Sequence, residues 1–161
     1  GFAMARSYYQ RSTDKSQALA ELIGLNCEDQ AAVEAFADRC GWLSRPLSDL
    51  RKRFEAARLK VTGIREFQNA STAVDPGLTS ITVLFDRPMI THYRSTGEGS
   101  RGAQCATTVR NIQFAEDGRS VTYEVSLTPG QCHQFILEEG YRDERFFQLI
   151  PFQVEFTTTD Q

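Results

Sequence analysis

Asp75-Pro76-Gly77-Leu78-Thr79-Ser80-Ile81-Thr82-Val83-Leu84-Phe85-Asp86-Arg87-Pro88-Met89 is the stretch that decides the fold. A tight Asp-Pro-Gly turn runs directly into residues that alternate. Ile81, Val83 and Phe85 share one face and Thr82 points the other way, the period-two pattern of a half-buried strand. Pro88 has no N–H to give a ladder, so pairing is expected to stop there. Asp86 and Arg87 read as the exit of the strand. No nucleophile, metal cage or phosphate loop accompanies the stretch.

Downstream of Lys60 the same period recurs. Val61, Ile64 and Phe67 mark a strand before it, and Val109, Ile112 and Phe114 one after it, the latter with imperfect alternation. Glu116-Asp117-Gly118-Arg119 is a turn in which Gly supplies positive φ, and Val121, Tyr123 and Val125 alternate on its far side. Leu127-Thr128-Pro129-Gly130 is a further turn, succeeded by strands over Cys132–Leu137 and Phe152–Thr158. Short strands without intervening helices argue for an antiparallel sandwich.

Upstream the period is helical. Ser12 or Thr13 is the expected cap of a helix over Asp14–Ile23, with Ala18, Leu19, Leu22 and Ile23 on one face and Gly24 as its stop. A second helix begins after Asn26, carries Val33, Phe36 and Cys40 on one stripe, and ends at Gly41. A third starts after Ser44, with Pro46 near its start, Leu47, Leu50, Phe54 and Ala57 as its apolar stripe, and Arg51, Lys52, Arg53 and Arg58 as a solvated cationic face. The fold class expected is therefore α+β: a helical region of two to three helices over 1–60, then a β-sandwich over 61–161. About sixty residues bury little surface, so the helices are expected to lean on the β region.

Residues 61–159 resemble the bacterial Ig-like domains of S-layer and other extracytoplasmic proteins. Four motifs in order carry the resemblance: Val74-Asp75-Pro76, Phe85-Asp86-Arg87-Pro88-Met89, Leu127-Thr128-Pro129-Gly130 and Phe156-Thr157-Thr158. The chain departs from that pattern at Asn69-Ala70-Ser71, where the family carries Pro-x-Gly, and at Cys132, where an aromatic is usual. The resemblance implies an Ig-like sandwich in an extracytoplasmic setting. Residues 1–60 match no family pattern.

The formal net charge of −3 is split. Residues 1–60 hold ten Lys/Arg and eight Asp/Glu, residues 61–161 eight and thirteen. Neither half has the clustered cations a nucleic-acid surface needs. No apolar run approaches the roughly 20 residues of a spanning helix, and no intact signal peptide is read, while a leader removed before Gly1 stays open.

The candidate chemistry is sparse. Four cysteines suit an oxidising compartment. Cys27 and Cys40 sit at opposite ends of one expected helix, too far apart to pair, whereas Cys105 and Cys132 flank the hairpin and can meet across strands. The competing reading makes all four small apolar packing residues. Cys132 beside His133 suggests a dyad, but neighbours on a strand point to opposite faces. Glu138, Glu139, Asp143 and Glu144 read as a solvated acidic loop, since their spacing fits no calcium loop. Arg94 to Gly102 is glycine-rich, lacks the Lys-Ser/Thr ending of a phosphate loop, and reads as a flexible connection. Asn69-Ala70-Ser71 fits the N-glycosylation pattern, a three-residue match that often occurs by chance.

No catalytic, metal or cofactor residue is assigned. The expected function is that of a non-catalytic extracytoplasmic module that spaces, or binds a protein or glycan through a sheet edge or a loop. Arg94, Glu98, Arg101 and Gln104 form the candidate binding loop. Two rival expectations are an accessory C-terminal part of a secreted enzyme such as a peptidase, and a small inhibitor or immunity-like protein.

Overall fold

The computed structural model describes residues 1–160, and the chain divides into two compact units, Gly1–Ala56 and Ala57 onward. Four short helices and two antiparallel sheets give an α+β fold.

The helices are α1 (Phe2–Arg11), α2 (Lys15–Gly24), α3 (Gln30–Arg39) and α4 (Leu47–Ala57). α1 lies outside the two to three expected; its start has no side-chain cap, and its half-buried stripe of Met4, Ala5 and Tyr8 includes no fully buried residue. The other starts differ from expectation in which side chain caps. Asp14 accepts the N–H of Gln17 at 2.9 Å, in place of Ser12 or Thr13, and Asp29 accepts that of Ala32 at 3.1 Å. Asn26 instead binds the N–H of Glu28 at 3.0 Å and shapes the turn that precedes α3. At α4 the cap comes from a residue distant in sequence: Asp38 accepts the N–H of Leu47 at 2.6 Å. Each acceptor satisfies one of the donors a helix start leaves free.

Buried apolar residues in the helical unit are few: Ala18, Phe36, Ala37 and Cys40. Polar crosslinks do much of the joining. Tyr8 donates to Glu21 at 2.5 Å and sets its ring edge-on to Phe36 at 5.1 Å, and Arg39 reaches the same Glu21 at 3.3 Å. Lys15 donates to the carbonyls of Tyr9, Gln10 and Ser12, each at 2.8 Å, and so closes the end of α1. Cys40 is buried as a packing residue, while Cys27 is exposed and free.

The second unit holds strands β1 (Val61–Ile64), β2 (Ser80–Phe85), β3 (Thr96–Gly97), β4 (Thr108–Phe114), β5 (Ser120–Ser126), β6 (Cys132–Leu137) and β7 (Phe152–Thr157). One sheet has the order β1-β2-β5-β4 and the other β3-β6-β7. Their inner faces share one core. Ile81 and Val83 of β2 stand opposite Tyr123 and Val121 of β5, while Phe135 of β6 stands opposite Val154 of β7. The buried phenols of Tyr123 and Tyr141 satisfy one another at 2.7 Å, with Thr96 on Tyr141 at 3.1 Å. Burial first, then the Tyr141 phenol, pushes the Tyr123 hydroxyl far above its ordinary value.

The imperfect alternation of β4 is a bulge: the register against β5 shifts between Val109 and Asn111. Gly118 has φ +66 at the hairpin, and a Cβ there would lie 2.8 Å from the carbonyl oxygen of Met89. That oxygen is close because pairing does not stop at Pro88. Met89 donates to Gly118 at 3.0 Å, Ile90 donates to Arg142 at 2.9 Å, and Met89 bridges Asp143. A proline interrupts one donor, and the chain resumes pairing with a different neighbour.

Candidate functional site

The outer face of the three-stranded sheet is covered by its own chain. From β3 the backbone crosses over Gln134 so closely that a Cβ on Gly99 would lie 2.4 Å from the Gln134 Cβ, a position only glycine fits. Gln134 faces away from the core yet is 2% exposed. Its Oε1 accepts the Arg101 N–H at 3.0 Å and its Nε2 donates to Glu155 at 2.9 Å. Gln153 repeats the device, accepting the Ser100 N–H at 2.9 Å and donating to Glu155 at 3.0 Å. Two glutamines on neighbouring strands thus peg the segment down.

A 3₁₀ turn over Gly102–Cys105 comes next, and the Cys105–Cys132 disulfide anchors it to β6 with a Cα separation of 5.0 Å. Thr107 then donates to the Gln134 carbonyl at 3.1 Å. The glycine-rich segment is therefore a strap bonded to the sheet, and the expectation of a flexible connection is corrected. Local sequence pattern could not show this, because the strap's bonding partners lie 27 to 53 residues downstream.

On the other side of this face a second segment completes a cleft. Ala70 donates to the Glu155 carbonyl at 2.8 Å, Thr157 donates to that of Ser71 at 2.8 Å, and Val74 bridges Thr158 in parallel, so residues 70–74 sheathe the edge of β7. Asn69 fixes the approach: its amide donates to Gln153 O and its Oδ1 accepts the Glu155 N–H, both at 2.9 Å. With both ends bonded to the strand backbone, Asn69 has a structural role. Between strap and sheath lies a polar cleft of about 150 Å³ lined by Arg101, Gln134, Glu155, Ser71, Thr72 and Thr157.

Of the four residues of the candidate loop, only Arg101 lines this cleft. Glu98 and Gln104 are exposed elsewhere on the strap, and Arg94 precedes β3. Glu155, the second charged group, carries no signal in the sequence beyond its place on a strand.

Two other sequence expectations are replaced. Arg58 is not on a solvated cationic face; it is 8% exposed and donates to the carbonyls of Gln148 at 3.4 Å and Leu149 at 2.6 Å and pairs with Glu139 at 2.9 Å. Of the four acidic residues, Glu139 and Glu144 are exposed as expected, but Asp143 is not solvated. Asp143 is buried, pairs with Arg87 at 3.4 Å, and accepts the N–H groups of Arg145 at 3.0 Å and Phe147 at 2.9 Å. Arg87 also donates to the Arg58 carbonyl at 2.7 Å and pairs with Asp86 at 3.0 Å, tying the strand exit to this turn. Burial works against the Asp86 charge, but Arg87 and the Lys60 N–H outweigh it and hold its carboxyl below the ordinary range.

His133 is a core residue, stacked on Phe156 at 5.2 Å with Nε2 at 3.2 Å from the Thr128 carbonyl oxygen, while Cys132 is spent in the disulfide. Among the described residues no three His, Cys, Asp or Glu side chains gather into a metal-ligating set, and no helix is long and apolar enough to cross a membrane.

No family model and no curated protein matches the chain. Solved structures do. Domains 1–6 of the surface layer protein SbsC match at 18% identity and a TM-score of 0.44 over 99% of this chain and 22% of that one. The N-terminal part of the bacterial S-layer protein SbsC matches at 18% identity and 0.46, over 98% and 37%. CopC from Methylosinus trichosporium OB3b matches at 15% identity and 0.45, over 63% of this chain and 94% of that one. The chain therefore spans well under half the length of the SbsC chains it resembles.

Proposed function

We propose that this chain is a non-catalytic module of an extracytoplasmic protein and that it binds a protein or glycan partner at the strapped outer face of its three-stranded sheet. The observation that carries the reading is the Cys105–Cys132 bond, which fixes the strap beside a cleft holding Arg101 and Glu155. A structural disulfide persists in oxidising compartments and is rare where thiols are kept reduced. Arg101 is exposed and brings a fork of N–H donors, while Glu155 brings acceptors. A donor and an acceptor facing a small polar cleft suit a ligand rich in hydroxyl or amide groups.

Arrays of glycans and extracellular proteins probed with the oxidised chain test this. The expected result is a ligand bound by the parent, weakened at least tenfold by Arg101→Ala, and lost after reduction of the disulfide. Equal binding by all three forms would overturn the assignment to this cleft.

A further inference from the structure

An exposed aromatic cluster at the Asp143–Phe147 turn marks a second surface. Phe146 has φ +66, a left-handed conformation that glycine and asparagine adopt far more readily than a bulky residue. The turn imposes it. Asp143 accepts the Phe146 N–H on its carbonyl at 2.9 Å, its carboxylate takes the N–H groups on either side, and its own N–H binds the Phe147 carbonyl at 3.0 Å. Core packing does not offset the cost, because Phe146 is 59% exposed. Strain held by an over-determined turn, with the ring delivered to solvent, is the pattern of a functional surface.

The neighbours extend it. Tyr93, 38% exposed, lies 6.3 Å from Phe146 and 4.7 Å from the His92 ring, centroid to centroid. The Arg142 guanidinium sits 4.8 Å over the Tyr93 ring, which fixes its plane. Its Nε is buried and has no hydrogen-bond partner among the described residues. Arg94 and Arg145 are exposed next to the two aromatic residues in sequence, with Glu144 as the exposed acid of the turn.

Rings attract the weakly positive C–H face of a flat, partly apolar body, and guanidinium attracts a carboxylate. A uronic acid unit offers both on one rigid ring. An aspartate or glutamate side chain offers the carboxylate without the face, and three rings cover far less than the roughly 800 Å² per partner of a stable protein interface. We propose that Phe146, Tyr93 and Arg142 form a binding site for a uronic-acid polysaccharide. The site is separate from the Arg101 cleft, and neither depends on the other.

The test uses the full chain, with polygalacturonate as probe, dextran as neutral control and polyglutamate as charge control, read by calorimetry. Phe146→Gly suits the left-handed turn, so its urea midpoint should equal or exceed the parent's. Its affinity for polygalacturonate should fall at least tenfold, as should that of Arg142→Gln. Arg110→Ala, which removes one exposed charge from β4, should bind as the parent does. The proposal is overturned if Phe146→Gly keeps parental affinity, if polygalacturonate is not bound, or if polyglutamate binds as tightly. That last outcome would point to an acidic protein segment.

Discussion

The two units of this chain are held together by different physics. In the β unit, side chains from both sheets and from Leu59, Val74, Met89, Tyr141 and Leu149 make one continuous core, and the buried Arg58 and Asp143 are paired and bonded to backbone. In the helical unit four apolar residues are buried, whereas Leu19, Ile23, Trp42 and Phe54 stay exposed. Its helices meet through Tyr8–Glu21, Arg39–Glu21 and Arg51–Glu34, pairs at or near the surface. Core burial survives changes of salt and pH. Exposed pairs are screened and depend on the charge state of each member.

The sharpest way to break this contrast is to truncate one core residue in each unit. Leu149→Ala should cost about 2–5 kcal/mol of β-unit stability in urea unfolding, the range for emptying a buried leucine site. Phe36→Ala should abolish the helical signal and change the emission of Trp42, the single tryptophan, while leaving the β transition in place. A single shared transition in both variants would show that the units unfold as one.

The next effect is that of the disulfide, whose cysteines are 27 residues apart. Replacing Cys105 and Cys132 by alanine should lower β-unit stability by about 3.5 kcal/mol on the chain-entropy account and raise protease cleavage within 98–106. The helical unit should not respond.

The smallest effect is acidification. The Tyr8 hydroxyl, foremost, holds the Glu21 carboxyl below its ordinary value, and the bond from Arg51 does the same for Glu34. Both folded values lie below the unfolded ones, so this stabilisation is complete above about pH 4.3 and is lost as pH falls through the folded values. Helical ellipticity and Trp42 emission should therefore change before the β signal does. Loss of the β signal first would reverse the comparison.

Part of this structure is legible residue by residue. Ile81, Val83, Phe85, Val121, Tyr123 and Val125 announce two strands and the face they bury, because a period of two survives any tertiary context that covers one side. Gly118 announces its turn through positive φ, and Asp14 and Asp29 lie within a few residues of the helix starts they cap. α1 escapes a sequence reading because its start carries no capping side chain and its stripe of Met4, Ala5 and Tyr8 is short.

The candidate surfaces are less legible. Arg101 stands out in a polar, glycine-rich loop, yet Glu155, Gln134 and the sheath at residues 70–74 do not, since each acquires its role from a partner far away in the chain. Arg58 reads as solvated because its helix face is otherwise charged, and its burial comes from the carbonyls of Gln148 and Leu149, some ninety residues distant. Phe146 looks like an ordinary apolar residue; its left-handed backbone comes from the Asp143 turn.

The sequence by itself determined three of the four helices, the longer strands, the alternating residues that face the β core, and which two cysteines could meet. These rest on local periodicity and turn chemistry, which act over a few residues. Tertiary structure alone decided that a glycine-rich segment becomes a strap, that Asn69 holds an edge, that Asp143 is buried, and that Phe146 is pushed into solvent. The first three depend on hydrogen bonds and close approaches between residues far apart in sequence, and the last on the bonds that close the Asp143–Phe147 turn, which no periodicity encodes.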